Sequence, residues 1–184
     1  MIRSLDILFS LLGMIFGIPV FVVIVILSLL DHGSPFFKQK RVGKNQQLFT
    51  LVKFRTMSLG TQSVGTHLVD PKSVTKLGAF LRKTKLDELP QLLNVLVGQM
   101  SLVGPRPCLP NQSILINERA KRGVFLLRPG ITGLAQVNGI DMSTPRKLSR
   151  YDHLMIKHMC LQLYFKLIVS TILGKGSGDR VKSG

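Results

Sequence analysis

The sequence predicts a mostly helical α+β protein: an N-terminal membrane helix interrupted by proline, a β-hairpin and a small globular domain. Three observations carry this reading. Ile7 to Leu30 is a run of 24 residues without a charge, 19 of them apolar. Two short stretches rich in aromatic and β-branched residues flank the turn residues Gly43-Lys44-Asn45. From Val74 onward, apolar and basic positions alternate at helical spacing in segments punctuated by Gly and Pro.

Composition narrows the class. The 184 residues hold 25 Lys and Arg against 9 Asp and Glu, a formal net charge of +16, yet 45% are hydrophobic. A disordered basic tail has far fewer apolar residues. A soluble nucleic-acid-binding domain carries such charge but is rarely so apolar. Charge and apolarity together point to the face of an anionic membrane. Cys108 and Cys160 lie far apart with no metal spacing, which reads as two reduced thiols. His32, His67, His153 and His158 form no site; the last two are five apart, off-register for a helical metal pair. No glycine-rich phosphate loop or nucleophile elbow is present.

The apolar run is long enough to cross a bilayer, since 24 helical residues rise about 36 Å against a core of about 30 Å. It is too long for the apolar part of a cleaved signal peptide. Pro19, preceded by Gly13 and Gly17, removes a backbone donor and predicts a kink near Ile15 to Pro19. A kinked helix either crosses or dips in and returns. Arg3 before the run and Lys38, Lys40, Arg41 and Lys44 after it fit two cytoplasmic ends. The charge before the run is slight, and both topologies stay open on these grounds.

Phe36 to Val42 and Gln47 to Phe54 are the hairpin strands. Lys53 and Arg55 alternate along the second and share a face, either solvated or turned to a phosphate. Ser58 to Thr66 reads as a polar surface loop. Val74 to Lys85 is a helix with Leu77, Phe80 and Leu81 inward and Lys76, Arg82 and Lys83 outward. Leu89 to Val97 is a second helix ending before Gly98. Ser101 to Pro107 cannot be regular helix. Asn111 to Leu127 is helical until Pro129-Gly130, and Leu148 to Leu173 carries a long helical pattern. Gly174 to Gly184 reads as a flexible tail.

Acids are scarce, so their positions inform. Asp87-Glu88 is the only adjacent acidic pair. One reading is structural: Asp87 caps a helix with Pro90 at its third position, and Glu88 is favoured by the helix dipole. The sharper reading uses Arg82, Lys83 and Lys85 nearby, which keep a carboxylate ionised. Carboxylate, cations and a helix start suit phosphoryl transfer with Asp87 as nucleophile, a divalent metal offsetting charge repulsion. Arg106 is held between Pro105 and Pro107. It is either a rigid bidentate phosphate contact or an exposed Arg on a stiff loop.

These residues carry a signature. The chain resembles the bacterial initiating sugar transferases, the monotopic polyprenyl-phosphate phosphoglycosyl transferases. The resemblance runs from about residue 2 to about 173. Its motifs are Ser34-Pro-Phe-Phe-Lys-Gln39, Arg41-Val-Gly-Lys44, Lys53-Phe-Arg-Thr-Met57, Leu81-Arg82 and Leu86-Asp-Glu-Leu-Pro-Gln-Leu92. Asn94-Val-Leu96, Met100-Ser-Leu-Val-Gly-Pro-Arg-Pro107, Arg128-Pro-Gly-Ile-Thr-Gly133 and Ala135-Gln-Val-Asn-Gly139 complete it. Several long motifs in this order are highly specific.

The resemblance implies a re-entrant membrane helix over residues 1–32, kinked at Pro19, with both ends on the cytoplasmic face of the bacterial inner membrane. It implies a cytoplasmic catalytic domain over 33–173 with interfacial amphipathic helices, and a tail over 174–184. A nucleotide diphosphate sugar, usually a UDP-sugar, would be the donor and polyprenyl (undecaprenyl) phosphate the acceptor, on an anionic phospholipid surface. Asp87 would attack the sugar-bearing phosphate, releasing UMP, and the acceptor would take the phosphosugar from the covalent intermediate. Such a step opens surface-glycan synthesis, as for exopolysaccharide or O-antigen. Glu88 would assist as a base, and Mg²⁺ is expected at Asp87. Lys53, Arg55, Arg82, Arg106, Arg128, Gln136 and Asn138 would contact the substrate or its phosphates. No nucleic-acid partner is implied. A homodimer is compatible with the sequence, which does not set the oligomeric state.

Departures from the family pattern are Ile18 for Ser, Gln99 for Asp, Ser73 for Arg, Lys85 for Ser, and Ile140-Asp141 for Arg-Asn. Met155, Cys160 and Tyr164 stand where Tyr, Ser and Asp are common, while Asp152 is kept. Two other readings compete: a membrane-bound phosphohydrolase with water as acceptor, and a basic membrane-tethered module binding nucleic acid or lipid. The second expects blocks of basic residues with stacking aromatics. The chain has no Trp and two Tyr, and its cations are dispersed.

Overall fold

The long N-terminal helix α1 (Ile2–His32) sets the frame of the computed structural model, which describes residues 1–61 and 70–176. The helix stays continuous through Pro19 and ends at Gly33, whose φ of 71° supplies the left-handed cap that glycine adopts without strain. Only 11% of its most apolar window is buried, so α1 is not a core helix of a soluble fold. One face nevertheless runs along the rest of the protein. Arg3 Nη1 and Nη2 donate to Val95 O at 2.6 Å and Leu96 O at 2.9 Å. A Cβ on Gly13 would lie 3.0 Å from Leu92 Cδ1, so α1 packs closely on the Leu92 side chain at this position. Further along, Phe21 packs on Phe54 with ring centroids 4.9 Å apart, and Ile24 joins the same cluster.

Strands β1 (Phe36–Val42) and β2 (Leu48–Phe54) form the expected antiparallel hairpin, in register from Phe36 opposite Phe54 to Val42 opposite Leu48. The turn is a 3-10 segment over Lys44–Gln46, with Asn45 and Gln46 at positive φ. Helix α2 (Lys76–Thr84) is capped by Thr75, whose hydroxyl accepts from Gly78 N. Leu81 is fully buried, but Phe80 is exposed, against the sequence expectation. Helix α3 (Gln91–Leu96) follows, then strand β3 (Ser101–Val103).

The predicted helix from Asn111 to Leu127 is shorter. Helix α4 (Ser113–Lys121) stops at Gly123, at φ 65°, and a separate 3-10 turn covers Val124–Leu126. Strand β4 (Gly130–Thr132) pairs in parallel with β3, a two-stranded sheet the periodicity did not reveal. A Cβ on Gly130 would lie 2.0 Å from Gly104 N, so only glycine permits this approach. Helix α5 (Leu134–Val137) is one turn long. The long pattern from Leu148 to Leu173 divides into α6 (Pro145–Lys157) and α7 (Leu161–Ile172), broken at His158–Cys160.

Four small apolar clusters hold these pieces together rather than one large core. Both cysteines are free, Cys108 buried and Cys160 exposed. The tail from residue 177, His67 and most of the Ser58 to Thr66 loop lie outside the described residues.

Candidate active site

The acidic pair does not cap a helix as the sequence suggested. Asp87 and Glu88 sit inside a 3-10 turn, Leu86–Glu88, and α3 begins only after Pro90, which occupies the N-cap position. Proline has no N–H to donate, so the break between turn and helix leaves fewer backbone donors unsatisfied. Lys85 starts the turn at φ 60°, a left-handed conformation uncommon for a side chain with a Cβ. The turn packs on β2 and α2, and both carboxylates are withdrawn from solvent, Asp87 at 2% and Glu88 at 8% exposure.

Arg106 reaches this turn from the loop after β3, its Nη2 donating to Glu88 Oε1 at 2.9 Å. The loop is stiff for reasons beyond its two prolines. Arg119 Nη1 donates to Arg106 O at 2.8 Å, Gly130 N to Pro105 O at 3.0 Å, and Arg41 Nη1 to Pro107 O at 3.0 Å. Arg119 is itself fixed by Asp152, with Nη2 to Oδ2 at 2.8 Å and both side chains almost fully buried. Glu88, Arg106, Arg119 and Asp152 therefore form one relay from the dyad into α6. Beneath the loop, burial pushes the Cys108 thiol above its ordinary value despite the nearby Arg119 and Arg41.

Two clefts meet at Arg106. One is lined by Arg41, Leu51, Lys53, Gln91, Arg106 and Pro107. The other is lined by Lys85, Glu88, Arg106, Thr132, Gln136, Thr171 and Lys175.

The predicted contacts divide accordingly. Lys53, Arg106 and Gln136 line the clefts with Glu88. Lys53 Nζ and the Arg55 guanidinium share a face, each 5.8 Å from the Phe37 ring centroid. Arg55 also donates to Ser34 O at 3.1 Å and Phe36 O at 3.2 Å, tying the start of β1 to the end of β2. Arg82 Nε donates to Thr56 Oγ1 at 2.8 Å. Arg128 Nε donates to Gly98 O at 2.7 Å, in the turn after α3, and Asn138 Nδ2 returns to Leu134 O of its own helix. Neither Arg128 nor Asn138 lines the two clefts.

Sequence reasoning passed over several positioning residues. Asp6 is 2% exposed, and its Oδ1 accepts from Ser101 Oγ at 3.0 Å, Leu102 N at 3.0 Å and Tyr164 Oη at 2.9 Å. It joins α1 to β3 and α7. Burial and the Asp6 carboxylate push the Tyr164 hydroxyl well above its ordinary value. A signal was available, because a carboxylate at the edge of an apolar run requires partners. Asn94 holds β2 from α3, its amide donating to Thr50 O and accepting from Val52 N. It also donates to Gln99 Oε1 at 2.7 Å, so Gln99 supplies an acceptor oxygen here. Among the described residues, no group of three or more His, Cys, Asp or Glu could hold a metal.

Comparison with known proteins follows the same lines. A family model described as bacterial sugar transferase matches residues 1–175. An uncharacterized sugar transferase, EpsL of Bacillus subtilis, is 41% identical over 170 residues, which is 90% of this chain and 84% of the relative. A UDP-glucose:undecaprenyl-phosphate glucose-1-phosphate transferase of Xanthomonas campestris is 40% identical over 151 residues. The match covers 76% of this chain but only 31% of that relative. A putative undecaprenyl-phosphate N-acetylgalactosaminyl 1-phosphate transferase of Bacillus subtilis is 44% identical over 112 residues, 59% of this chain and 62% of the relative.

Proposed function

The chain belongs to the bacterial sugar transferase family, and from that premise we propose that it moves a sugar phosphate from a UDP-sugar to polyprenyl phosphate through a covalent bond to Asp87. The observation that carries this reading is the buried Asp87-Glu88 turn, with Arg106 on Glu88 where a cation-lined cleft and a polar cleft meet.

In the first step an Asp87 carboxylate oxygen attacks the phosphorus that bears the sugar. The P–O bond to the second phosphate breaks and UMP leaves with the electron pair. In the second step a phosphate oxygen of the acceptor attacks the same phosphorus. The acyl-phosphate bond to Asp87 breaks, which regenerates the carboxylate and yields the polyprenyl diphosphosugar. Arg106 presents its guanidinium to the charge that spreads over the phosphoryl oxygens, and Glu88 and Arg119 hold it there. Near neutral pH a phosphate acceptor carries little proton to remove, so Glu88 serves more as the anchor of Arg106 than as a base.

One or two carboxylates with donor phosphates are the usual ligands of Mg²⁺. The dyad fits that pattern, with no all-protein cage among the described residues. Asp87 would hold the ion against the donor's diphosphate, where it would neutralise phosphate charge.

For the membrane helix, the re-entrant reading is favoured by where α1 touches the domain. Residues 3 and 24 are about 31 Å apart along a helix, the thickness of a bilayer core. Arg3 and Asp6 at one end and Phe21 and Ile24 at the other contact the same domain. A helix crossing the bilayer would carry one of these ends away from it. Both ends and the catalytic domain then lie at the cytoplasmic face of the inner membrane, against anionic phospholipid, with Pro19 at the bend.

UMP release from UDP-sugars, with and without polyprenyl phosphate, tests the reaction. Asp87→Asn is expected to lose at least a thousandfold in turnover. Full turnover in Asp87→Asn would sink the covalent step, and release that ignores the lipid would favour a hydrolase. For topology, Cys160→Ser with one new cysteine at residue 1 or 184 should react with an impermeant thiol reagent only from the cytoplasmic side. Labelling of either end from outside refutes the re-entrant helix.

A further inference from the structure

Resting on the transferase reading above, we propose that the cleft between Lys85, Thr132, Gln136, Thr171 and Lys175 receives the sugar of the donor, so that the end of α7 is the wall that discriminates between sugars. The two clefts differ in chemistry. The one toward β2 is lined by Arg41, Lys53 and Arg106, cations suited to phosphate. The other sets two threonine hydroxyls and an amide beside Lys85, Glu88, Arg106 and Lys175, and the Lys85 ammonium donates to the Thr171 and Lys175 carbonyls. The threonines and the glutamine are matched to the hydroxyls of a sugar. Arg106 lines both, which seats the diphosphate at the junction and sends the sugar one way and the nucleotide the other.

Gln136 adds an independent sign. Its side chain is 9% exposed and its Nε2 donates to Ile131 O at 3.4 Å, whereas its buried Oε1 accepts no hydrogen bond. A buried carbonyl oxygen without a donor is costly, and a small turn of the Gln136 amide toward the cleft would present it to a ligand hydroxyl. Thr132 and Thr171 hydrogen-bond through their hydroxyls, and Thr171 Oγ1 also donates to Leu167 O at 2.9 Å. Each hydroxyl keeps a lone pair for a further donor.

The wall is tied to the dyad. Lys85 Nζ donates to Thr171 O at 3.3 Å and Lys175 O at 2.7 Å, carbonyls at the C-terminal end of α7 where a cation is favoured. Gly176 lies so near α5 that a Cβ on it would be 2.8 Å from Gln136 O. Lys85 is thus a positioning residue: it starts the turn that carries Asp87 and fastens the wall facing it.

The test is a donor panel of UDP-glucose, UDP-galactose, UDP-N-acetylglucosamine and UDP-N-acetylgalactosamine, with kcat/KM measured for each by UMP release. In Thr132→Val/Thr171→Val the ratio between best and worst donors is expected to change about tenfold or more. Inhibition by UMP and the KM for polyprenyl phosphate stay within twofold. Thr171→Ser, which keeps the hydroxyl, should retain the wild-type ranking. Gln136→Leu, read the same way, keeps the test open if the double variant fails to fold. An unchanged ranking in a folded, active variant overturns the subsite alone. So does a shift in UMP inhibition, which would place the nucleotide there, or a shift confined to the lipid KM, which would place the acceptor there. A wild-type enzyme silent on all four donors sinks the donor class and the subsite with it.

Discussion

Removing the Asp6 carboxylate should loosen α1 from β3 and α7, and the size of the effect follows from three hydrogen bonds. Asp6 Oδ1 accepts from Ser101 Oγ, Leu102 N and Tyr164 Oη, all at 2.9–3.0 Å. In Asp6→Ala the Ser101 hydroxyl can turn elsewhere, but Leu102 N–H and the fully buried Tyr164 hydroxyl lose their acceptor. Each buried donor left unsatisfied costs about 1–3 kcal/mol, which gives about 2–6 kcal/mol for the pair. For a chain of this size each kcal/mol lowers Tm by about 2–4 °C, so the expected loss is roughly 4–24 °C. Asp6→Asn keeps an acceptor oxygen and loses only the charge, about 1 kcal/mol and a few degrees. The assay is thermal unfolding in nanodiscs followed by circular dichroism, with turnover measured alongside. Turnover should fall as well, because β3 leads directly into the Arg106 loop. An Asp6→Ala variant melting within 2 °C of wild type, or indistinguishable from Asp6→Asn, refutes the claim that this carboxylate locks α1 to the domain.

The Tyr164 hydroxyl gives a pH test of the same junction. Its folded pKa is raised above the ordinary value of 10.0, so its contribution is complete below pH 10 and is lost as pH climbs beyond it. Melting curves should therefore show a steeper alkaline loss in wild type than in Tyr164→Phe. Arg119→Met strands the buried Asp152 and should cost about 3–5 kcal/mol, read from denaturant midpoints, with reduced kcat from a displaced Arg106. Arg55→Ala should lower stability while leaving the KM for donor within twofold, because its guanidinium is engaged with Ser34 and Phe36 carbonyls. Gly13→Ala should fold with little change, since the flexible end of Leu92 can move. Gly13→Leu should cost about 1–3 kcal/mol by forcing α1 off α3, which thermal unfolding would detect.

Much of this protein is legible along the chain. A chargeless apolar run makes a long helix wherever it lies, and turn residues between β-branched stretches make a hairpin. The break at His158–Cys160 was not legible, because α6 and α7 carry apolar residues at the same spacing and share a periodic pattern. The β3–β4 pair escaped notice for another reason. Strands of three residues have too little alternation to read, and their pairing depends on a contact between Gly104 and Gly130. The dyad was legible by scarcity: nine acids with one adjacent pair make Asp87-Glu88 conspicuous.

The sequence by itself determined the family, the long apolar helix, the hairpin and the place to look for chemistry, because each rests on local pattern or on ordered motifs. The tertiary structure decided which partner each cation meets. All arginines carry the same charge and donors, so sequence cannot rank them. Packing assigned Arg3 to carbonyls more than ninety residues away, Arg128 to the turn after α3, Arg55 to the hairpin and Arg106 to Glu88. It also turned Asp6, a stray charge beside an apolar run, into the joint of α1, β3 and α7. The physical reason is the same throughout. A buried polar group has to find its partner, and the partner's identity is fixed only when distant segments meet.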